Sequence, residues 1–584
     1  MKRSISAFLT LSLLLSVTAC GSGNPSSIAS EPAEADYDEI SSSAPDSQIT
    51  VSPDPDEILS VSSVLRTADH SVLEEQVAID QELLAEAQAG YSFEAPLVVV
   101  NPYGNAPLSA LAIFDTEEET EVTVTIKGHD AKDDITTTFP REKRHILPIA
   151  GLYAGQETQV ELTLSDGSSI SLSIATEPVD EDLVNAEVIR LDEEFYDYEQ
   201  LTFAYYNYGT LAYDSEGDLR FYSQFPALPL TRLSNGHFAA YTREFADKKS
   251  GTFAGIVEID ICGRIYNQYM LPGGAHHEIR ELSNGNLLVG TSHDDLSVIN
   301  CSIAEIERDT GNLVWQLDLC DLMDTTDGIG VLYERMNQAG FAVWFHDNSF
   351  CYDEATDSLL ISGRIVDAVV CVEKSTQKLK WILGTNEGWN NADPSLFFTP
   401  IDNDGDFEWQ FAQHNVDLLP DLDGNPATLD VLMFDNGCAR TKDLNQGGVS
   451  GKDVYSRAVV YHVDTAAMTV SQEWEYGKER GDSWYSAYIS GANYEEDTGV
   501  FWICSGGIQH DASADNYDLS IAGFNGDLKV EYSALIDAVL EAELKYELKV
   551  HRNVYRSARF DIYGGRSTST DVTVPGNCFV VKNE

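Results

Sequence analysis

The amino-acid sequence predicts an all-β protein, a six-bladed β-propeller preceded by a small β-sandwich domain. The first observation is the stretch 344–384, which contains four short strands separated by turn-prone residues, the size of one propeller blade. The second is a turn leading into an aromatic or apolar strand, which recurs six times from residue 213 onward. The third is the alternation of apolar and polar residues between 92 and 179, which is typical of half-buried strands.

The first 20 residues have the organisation of a signal peptide. The positively charged start MKRS is followed by an apolar stretch that is too short for a stable transmembrane anchor, and then by VTAC. The run that ends in Cys20 resembles a bacterial lipobox, which implies lipidation of Cys20 and an extracytoplasmic lipoprotein of the cell membrane. Ordinary signal cleavage with a free Cys20 is the alternative.

The next two segments differ sharply in composition. Residues 21–55 are rich in Ser, Pro and acidic residues, so they bury too little apolar surface to fold and are predicted to be a disordered tether. Residues 56–91 carry spaced apolar positions among Glu, Gln and Ala and end in Gly90, which predicts a helical segment.

The remaining chain is predicted to form the two β domains. Period-two runs separated by Gly, Asn and Asp turns predict the N-terminal β-sandwich over residues 92–180, and the repeats predict the propeller over 195–584. The repeats begin at residues 213, 258, 305, 372, 462 and 523, and their unequal spacing implies variable insertions. One insertion, at 385–410, is expected to form a loop over one face. The C-terminal run VPGNCFVVKN is expected to complete a blade and close the ring.

The charge of the chain narrows its partners. The sequence has 36 basic and 96 acidic residues, a net charge of −60, so nothing suggests nucleic-acid binding. Such a charge repels anionic substrates at long range, and an anion site must therefore be local. None of the cysteines forms a CxxC pair, which argues against a zinc site, and the sequence alone does not pair them as disulfides.

The four-strand stretch gathers polar side chains at one end. Its first two strands form a hairpin centred near residue 355, so His346 and Arg364, which are equidistant from the turn, lie opposite each other. Asn348 follows His346 by two residues and points to the same side of the strand. An imidazole, an amide and a guanidinium at one place predict an anion site.

The same reasoning applies to three other predicted blades. His277, with His276 as its competitor, His414 and Ser490 each stand at the start of a first strand. Because the innermost strands of a propeller line its central channel, these positions are predicted to converge on one mouth. A lone histidine is usually an ordinary core or surface residue, but three equivalent openings with histidine are harder to dismiss.

Several motifs resemble the bacterial aryl sulfotransferases. They are H-D-N-S with an arginine eighteen residues after the histidine, K-W-I-L-G, the H-H-acid run at 276, the Q-H pair at 413, FDNG at 434 and YSRAV at 455, and the likeness covers most of residues 92–584. The resemblance implies a six-bladed propeller that moves a sulfuryl group from an aryl sulfate ester to a phenolic acceptor, with neither a nucleotide sulfate donor nor a cofactor or metal. It also implies a homodimer.

The resemblance also implies roles for individual residues. His414 would be the nucleophile and become transiently sulfated in a ping-pong reaction, and His346, Asn348 and Arg364 would surround the sulfuryl group. His277 would join them. Ser490 stands where a threonine is expected, and Ser490 and His276 are assigned to substrate binding. The chemistry agrees with these roles, because sulfuryl transfer needs an in-line nucleophile and cationic or donor groups on the peripheral oxygens. Another histidine, protonated, is expected to give a proton to the leaving oxygen.

Three rival interpretations stay open at this point. The segment DTGNLVW at 309 resembles the repeat of quinoprotein dehydrogenase propellers, which would also need acidic and amide calcium ligands. A lipid-anchored propeller that binds an extracellular ligand without catalysis would explain the tether and the acidity, but not the convergence of polar residues. A metal site built from the histidines is opposed by Arg364, because a cation repels a metal ion.

Overall fold

The computed structural model describes residues 70–180, 183–184, 186–206, 209–247, 252–293, 296–338, 343–401, 405–421, 423–438, 440–443, 454–509, 536–564 and 568–581. The predicted signal peptide (1–20) with Cys20, the tether (21–55) and the first part of the helical segment (56–69) lie outside the described residues. Of the helices that are described, none is long and apolar enough to cross a membrane.

The first described element is helix α1 (His70–Ala87), which is followed by a left-handed turn at Gly90. The helix is fixed to the large β domain by buried polar contacts. Asp80 accepts two hydrogen bonds from Arg264, at 2.8 and 3.2 Å, and one from the Tyr103 hydroxyl at 2.8 Å. Gln76 exchanges hydrogen bonds with both backbone groups of Ile265. The end of the predicted helical segment is therefore part of the folded domain.

Five strands follow the helix and form one antiparallel sheet in the region predicted as the sandwich: β1 (Leu97–Val100), β2 (Ser109–Ile126), β3 (Ile135–Ala150), β4 (Glu157–Leu164) and β5 (Ser169–Ala175). The strand β2 pairs with β1 through its first half and with β4 through its second half, and it pairs with β3 along both. Register shifts near Thr120 separate the two halves. Alternate residues Val122, Val124 and Ile126 are fully buried, in agreement with the period-two pattern.

Among the described residues after β5, strands are the predominant regular element and helices are few, so the prediction of an all-β protein is confirmed. The strands up to residue 318 are β6 (Ala186–Leu191), β7 (Leu201–Tyr206), β8 (Gly209–Tyr213), β9 (Leu219–Ser223), β10 (Thr231–Arg232), β11 (Phe238–Tyr241), β12 (Phe245–Asp247), β13 (Thr252–Ile259), β14 (Ile265–Glu281), β15 (Leu287–Thr291), β16 (Ser302–Ile306) and β17 (Leu313–Asp318). Two helices, α2 (Leu319–Leu322) and α3 (Val331–Gln338), come next.

The later strands are β18 (Asp347–Asp353), β19 (Ser358–Gly363), β20 (Ala368–Glu373), β21 (Lys378–Leu383), β22 (Thr399–Pro400), β23 (His414–Leu418), β24 (Thr428–Asp435), β25 (Arg457–Asp464), β26 (Thr469–Tyr476), β27 (Gly491–Glu495), β28 (Val500–Gln509), β29 (Ile536–Ala542), β30 (Tyr546–Val550), β31 (Arg556–Phe560) and β32 (Asn577–Val580). The stretch 344–384 thus forms the sheet β18-β19-β20-β21, the four strands that its sequence predicts.

Within the described residues, these strands make six antiparallel meanders of four main strands. Their orders are β31-β7-β8-β9, β10-β11-β13-β14, β14-β15-β16-β17, β18-β19-β20-β21, β23-β24-β25-β26 and β27-β28-β29-β30. The long strand β14 belongs to two meanders. The core lies between neighbouring sheets, as where Leu360 and Trp381 of one sheet pack in one cluster with Val431 and Tyr461 of the next.

Two details differ from the sequence-based prediction. The C-terminal tail forms β32, which pairs in parallel with the outer half of β14, whereas the late strand that joins the first meander is β31. The repeat predicted at 523 lies outside the described residues, and β30 forms the fourth strand of that meander instead. Both β31 and β30 come from segments without a recognised repeat, so their pairing was not readable from the pattern.

Breaking the contact between α1 and Arg264 tests the docking of the helix. We expect Asp80→Asn to lower the free energy of unfolding by about 3 kcal/mol, because the guanidinium of the buried Arg264 loses its carboxylate partner. Thermal unfolding followed by circular dichroism measures the change. The matched control is Glu82→Gln at an exposed position of the same helix, and an equal Tm for both variants would contradict the prediction.

Candidate functional site

Three histidines meet where the first strands of successive meanders come together. His277 lies within β14, His346 directly precedes β18, and His414 begins β23. The rings of His277 and His346 are 4.8 Å apart between centroids. His346 and His414 are buried and His277 is partly buried. The convergence predicted from the strand openings is therefore observed for these three residues.

Register shifts and left-handed backbone conformations determine the direction of these side chains. The pairing of each first strand with its second strand shifts register at the histidine: between His276 and Ile279, between Asp347 and Ser349, and between His414 and Asp417. His277 and His346 also have positive φ angles of 57° and 58°. A β-bulge redirects side chains, and a left-handed backbone at a bulky residue is uncommon except where the surroundings enforce it.

The environment of His414 fixes its tautomer. Its Nδ1 lies 2.7 Å from Oδ1 of Asn436, which follows β24. The amide nitrogen of Asn436 is used by two backbone carbonyls, those of Ser486 at 2.8 Å and Ile489 at 2.9 Å. Because the amide oxygen must then accept, Nδ1 of His414 carries the hydrogen. The lone pair of the neutral ring is left on Nε2, the atom a nucleophilic imidazole would use.

His277 is held at both ring nitrogens. Its Nε2 is 3.0 Å from the amide nitrogen of Asn300, and its Nδ1 is 3.0 Å from the hydroxyl of Tyr555, which directly precedes β31. The Tyr555 ring is also stacked on the His277 ring, with centroids 5.7 Å apart. His276 points elsewhere, because its Nε2 lies 2.6 Å from the carbonyl of Thr291. Of the adjacent pair, His277 is the one that joins the other histidines.

Arg364 lies next to two of the histidines. His346 and Arg364 lie opposite each other as predicted, beyond the register shift of the hairpin, since Asp347 pairs with Gly363 and the backbone N–H of Arg364 donates to the carbonyl of His346 at 3.1 Å. Its guanidinium is fully buried and donates to the carbonyl of Ala487 at 3.2 Å. After burial, the charge of Arg364 is the next cause that lowers the pKa of His346 and of His414, so the guanidinium interacts electrostatically with both rings.

Asn348 connects neighbouring strands at the site through its side chain and its backbone. One of its amide N–H groups donates to the carbonyl of Gln413 at 2.7 Å, the residue before His414. Its own carbonyl accepts from Nη2 of Arg556 at 2.6 Å, and Nη1 of Arg556 donates to Glu278 at 2.5 Å. Asn348 therefore links the strands that carry His346 and His414, and one amide N–H is left for other contacts.

Ser490 is close to this network but its hydroxyl serves the backbone. It donates to Oγ of Ser486 at 2.9 Å and accepts from the backbone N–H of Gly506 at 2.9 Å. Ser490 also has a positive φ of 83°. Its described contacts do not include any of the histidines, so the structure supports a local structural role better than the predicted contact with a substrate.

Desolvation decides the charge of the three rings. Burial lowers the pKa of His277, His346 and His414 well below its ordinary value, and nearby positive groups lower it further. The rings are therefore neutral near pH 7. Burial beside Arg364 thus opposes the protonated form that was expected for one of these histidines.

The groups that could hold a metal ion lie elsewhere. Among the described residues, ligand atoms within 4.8 Å of one another are found in Cys301–Asp318–Cys320 and in His129–Glu216–Asp218. Neither set includes a histidine of the site. Together with the guanidinium of Arg364, this disfavours the interpretation of the histidine cluster as a metal centre.

Four residues of the site escaped sequence reasoning: Asn300, Asn436, Tyr555 and Arg556. Asn436 stands within the FDNG run, so the motif signalled the segment although not the side chain. Tyr555 and Arg556 come from the end of the chain, and Asn300 from the loop before β16. No local pattern marks them, because they reach the histidines only through the closure of the sheets.

Comparison with known proteins gives a consistent picture. The family model described as arylsulfotransferase (ASST) matches residues 182–556, and the arylsulfotransferase Ig-like domain matches residues 97–178. An arylsulfate sulfotransferase of Escherichia coli O6:H1 is 26% identical over 520 residues, which covers 70% of this chain and 85% of that protein. One of Lelliottia amnigena is 25% identical over 527 residues, with the same coverage of 70% and 85%.

Similarity to solved structures is weak. A putative 6-phosphogluconolactonase of Bacteroides fragilis is 9% identical with a TM-score of 0.31, and covers 76% of this chain and 99% of its own. An auxiliary nutrient binding protein of Bacteroides ovatus is 10% identical with a TM-score of 0.29, and covers 81% and 100%. Scores this low carry no argument about function.

Burial of His276 predicts a pH dependence of stability. Burial lowers its pKa to about 4, so between pH 6.5 and about 4 the unfolded chain binds a proton that the folded chain does not. Stability is therefore lost as the pH falls through this range, by on the order of 3 kcal/mol from this ring. We expect His276→Gln, whose amide can still donate to Thr291, to show a shallower decrease of Tm between about pH 7 and pH 4.5. Parallel Tm curves for both proteins would contradict this prediction.

Proposed function

The chain belongs to the arylsulfotransferase family, and we propose that it moves a sulfuryl group from an aryl sulfate ester to a phenol in two steps through a sulfated His414. Membership of the family supports sulfotransferase activity in general. The single observation that carries the finer proposal is the tautomer of His414. Asn436 holds the hydrogen on Nδ1 and leaves the lone pair of the neutral ring on Nε2.

The first step would form a sulfated enzyme. The lone pair of His414 Nε2 attacks sulfur, the S–O bond to the aryl oxygen breaks, and its electron pair leaves with that oxygen. In the second step the oxygen of the acceptor attacks sulfur, and the pair of the S–N bond returns to Nε2. The proton that the acceptor phenol loses balances the one that the departing aryl oxygen gains. Neither step needs a nucleotide or a redox partner.

Arg364 would stabilise the transferring group. The charge of a loose sulfuryl-transfer transition state lies on the peripheral oxygens, where a planar guanidinium forms charge-assisted hydrogen bonds. Burial strengthens this interaction, because the local dielectric is lower than that of water. The buried cation also offsets the effect of the net charge of −60. It attracts the sulfate group at short range, although the acidic surface repels that group at long range.

The six-bladed propeller remains a proposal, and the contacts between strands support it. In sequence, β10 contacts β14, β14 contacts β18, β18 contacts β23, β23 contacts β27, and β27 contacts β31. The cycle closes because Arg232 of β10 donates to the carbonyls of Asp561 and Ile562 directly after β31. Six first strands in a closed cycle are what six blades around a channel produce.

The location is proposed from the N-terminal sequence alone. We propose that the chain is exported and anchored to the outer face of the cell membrane through a lipid on Cys20, with residues 21–55 as a tether. The homodimer that the family resemblance implies stays a prediction.

The activity is tested with 4-nitrophenyl sulfate and a second phenol, without any nucleotide. We expect nitrophenol release that depends on the acceptor, and a mass gain of one SO₃ group on the protein when the donor is supplied alone. His414→Ala should abolish both, and Asn436→Ala should slow transfer by about 10-fold or more, because Nδ1 is no longer fixed as a donor. The control is His462→Ala in β25, which should be fully active.

Other results would favour other functions. Full activity of His414→Ala would remove the nucleophile, and loss of activity with a chelator would revive the metal interpretation. Tight binding of aryl sulfates without turnover would indicate the non-catalytic binding protein.

The lipid anchor is tested in cells. Cys20→Ala should abolish metabolic labelling with a fatty acid and shift the protein from the membrane to the soluble fraction, because a membrane anchor of this kind needs the thiol. Unchanged labelling of the variant would contradict the assignment of Cys20.

A further inference from the structure

Asn300 lies between two of the histidines and belongs to no recognised motif. Its amide nitrogen is 3.0 Å from Nε2 of His277 and 3.4 Å from Nδ1 of His346. The residue is 1% exposed and has a positive φ of 53°. Its backbone N–H donates to Oγ of Ser292 at 3.0 Å, and its carbonyl accepts from the N–H of Asp347 at 3.0 Å. The Asn300 backbone is held by two hydrogen bonds, and its amide nitrogen contacts both rings.

The hydrogen-bonding pattern indicates which way the amide faces. As described, its two N–H groups point at two ring nitrogens, and the oxygen is the atom without a hydrogen-bond partner among the described residues. The flipped amide would turn the oxygen to the rings and leave two buried N–H groups unpartnered instead. A buried N–H without an acceptor is rarer than an under-used carbonyl oxygen, so the described orientation is favoured.

This orientation fixes the tautomers of both rings. Nε2 of His277 accepts from Asn300, so its Nδ1 carries the hydrogen and donates to the Tyr555 hydroxyl, which in turn donates to the carbonyl of Asn348 at 3.4 Å. Nδ1 of His346 accepts from Asn300, so the hydrogen of the neutral ring is on Nε2. The hydrogen bonds therefore run in one consistent direction across three elements of the fold.

An amide donor aimed at a ring nitrogen also opposes a second proton on that ring. After burial, the charged and titratable groups near the pair add to this effect. They are Arg364 after β19, His414 of β23, Arg556 of β31 and His276 of β14, each of which lowers the pKa of one or both rings. Tyr555 contributes a neutral hydroxyl, because burial raises its pKa to about 12.

We propose that Asn300 is a positioning residue that keeps His277 and His346 neutral and holds the hydrogen of His346 on Nε2, so that the aryl oxygen departs, and the acceptor oxygen attacks, as a phenoxide. This inference rests on the proposed sulfuryl transfer. His346 then stabilises the oxyanion through a hydrogen bond without giving up its proton, and water exchanges the protons of the two phenols. The phenols of the proposed reaction suit such a site, because an alkoxide is too basic to depart or to form without a general acid or base.

The decisive variant is Asn300→Asp, which keeps the shape and tolerates the positive φ. A carboxylate can only accept, so Nδ1 of His346 must carry a hydrogen. Above its raised pKa the ring then has no hydrogen on Nε2, and below it the imidazolium has one. We expect the kcat of the variant to be at least about tenfold lower at pH 8 than at pH 6, whereas that of the wild type is constant or rises.

A second variant and a control separate this role from a structural one. Asn300→Gly also suits the positive φ and removes the amide, so His346 is free to become a proton donor. We expect its kcat to depend less steeply than that of the wild type on the acidity of the leaving phenol, over a series of substituted phenyl sulfates. The control is Asn101→Asp, the same change at a positive φ in the turn that follows β1, which should leave both profiles unchanged.

The outcomes distinguish the two proposals. A wild type that transfers no sulfuryl group would end the proposed function itself. An active wild type with Asn300→Asp and Asn300→Gly profiles parallel to its own would end the role of Asn300 alone.

Discussion

The removal of three imidazoles from water is the constraint on which the rest of the site depends. A buried ring stays neutral, and its nitrogen atoms need hydrogen-bond partners inside the protein, because an unsatisfied buried polar atom is expensive. Asn436, Asn300 and Tyr555 supply partners to the three histidines. Each partner also dictates which nitrogen keeps the lone pair. The need to satisfy buried hydrogen-bonding groups therefore also determines the tautomer of each ring.

The position of the cations follows from the same constraint. Arg556 is buried beside a carboxylate, that of Glu278, and its second amino group is bound by the carbonyl of Asn348. Arg364 makes its described hydrogen bond to a backbone carbonyl. A guanidinium keeps its charge when buried, whereas an imidazole in the same place loses it. The arrangement therefore concentrates positive charge on arginine and leaves the histidines neutral.

This arrangement requires unfavourable backbone conformations at several positions. Register shifts interrupt three first strands at their histidines, and His277, His346, Asn300 and Ser490 have positive φ angles. Regular strands would point successive side chains to alternate faces and would not direct them along the axis where the strands meet. The strained positions are stabilised by the sheets on either side, whose cores pack against one another.

The sequence by itself determined the all-β class, the family and the hairpin that sets His346 against Arg364. These properties are local or recur along the chain: alternation, turns, a repeated strand pattern and short motifs. Only the tertiary structure decided that His277 and not His276 joins the cluster, that the Ser490 hydroxyl serves the backbone, and that Tyr555, Arg556 and Asn300 complete the site. The physical reason is that neither a bulge of one residue nor the arrival of a strand from the far end of the chain changes the periodic pattern of the sequence. Hydrogen-bond partners 278 residues apart, such as His277 and Tyr555, are brought together only when the sheets close on one another.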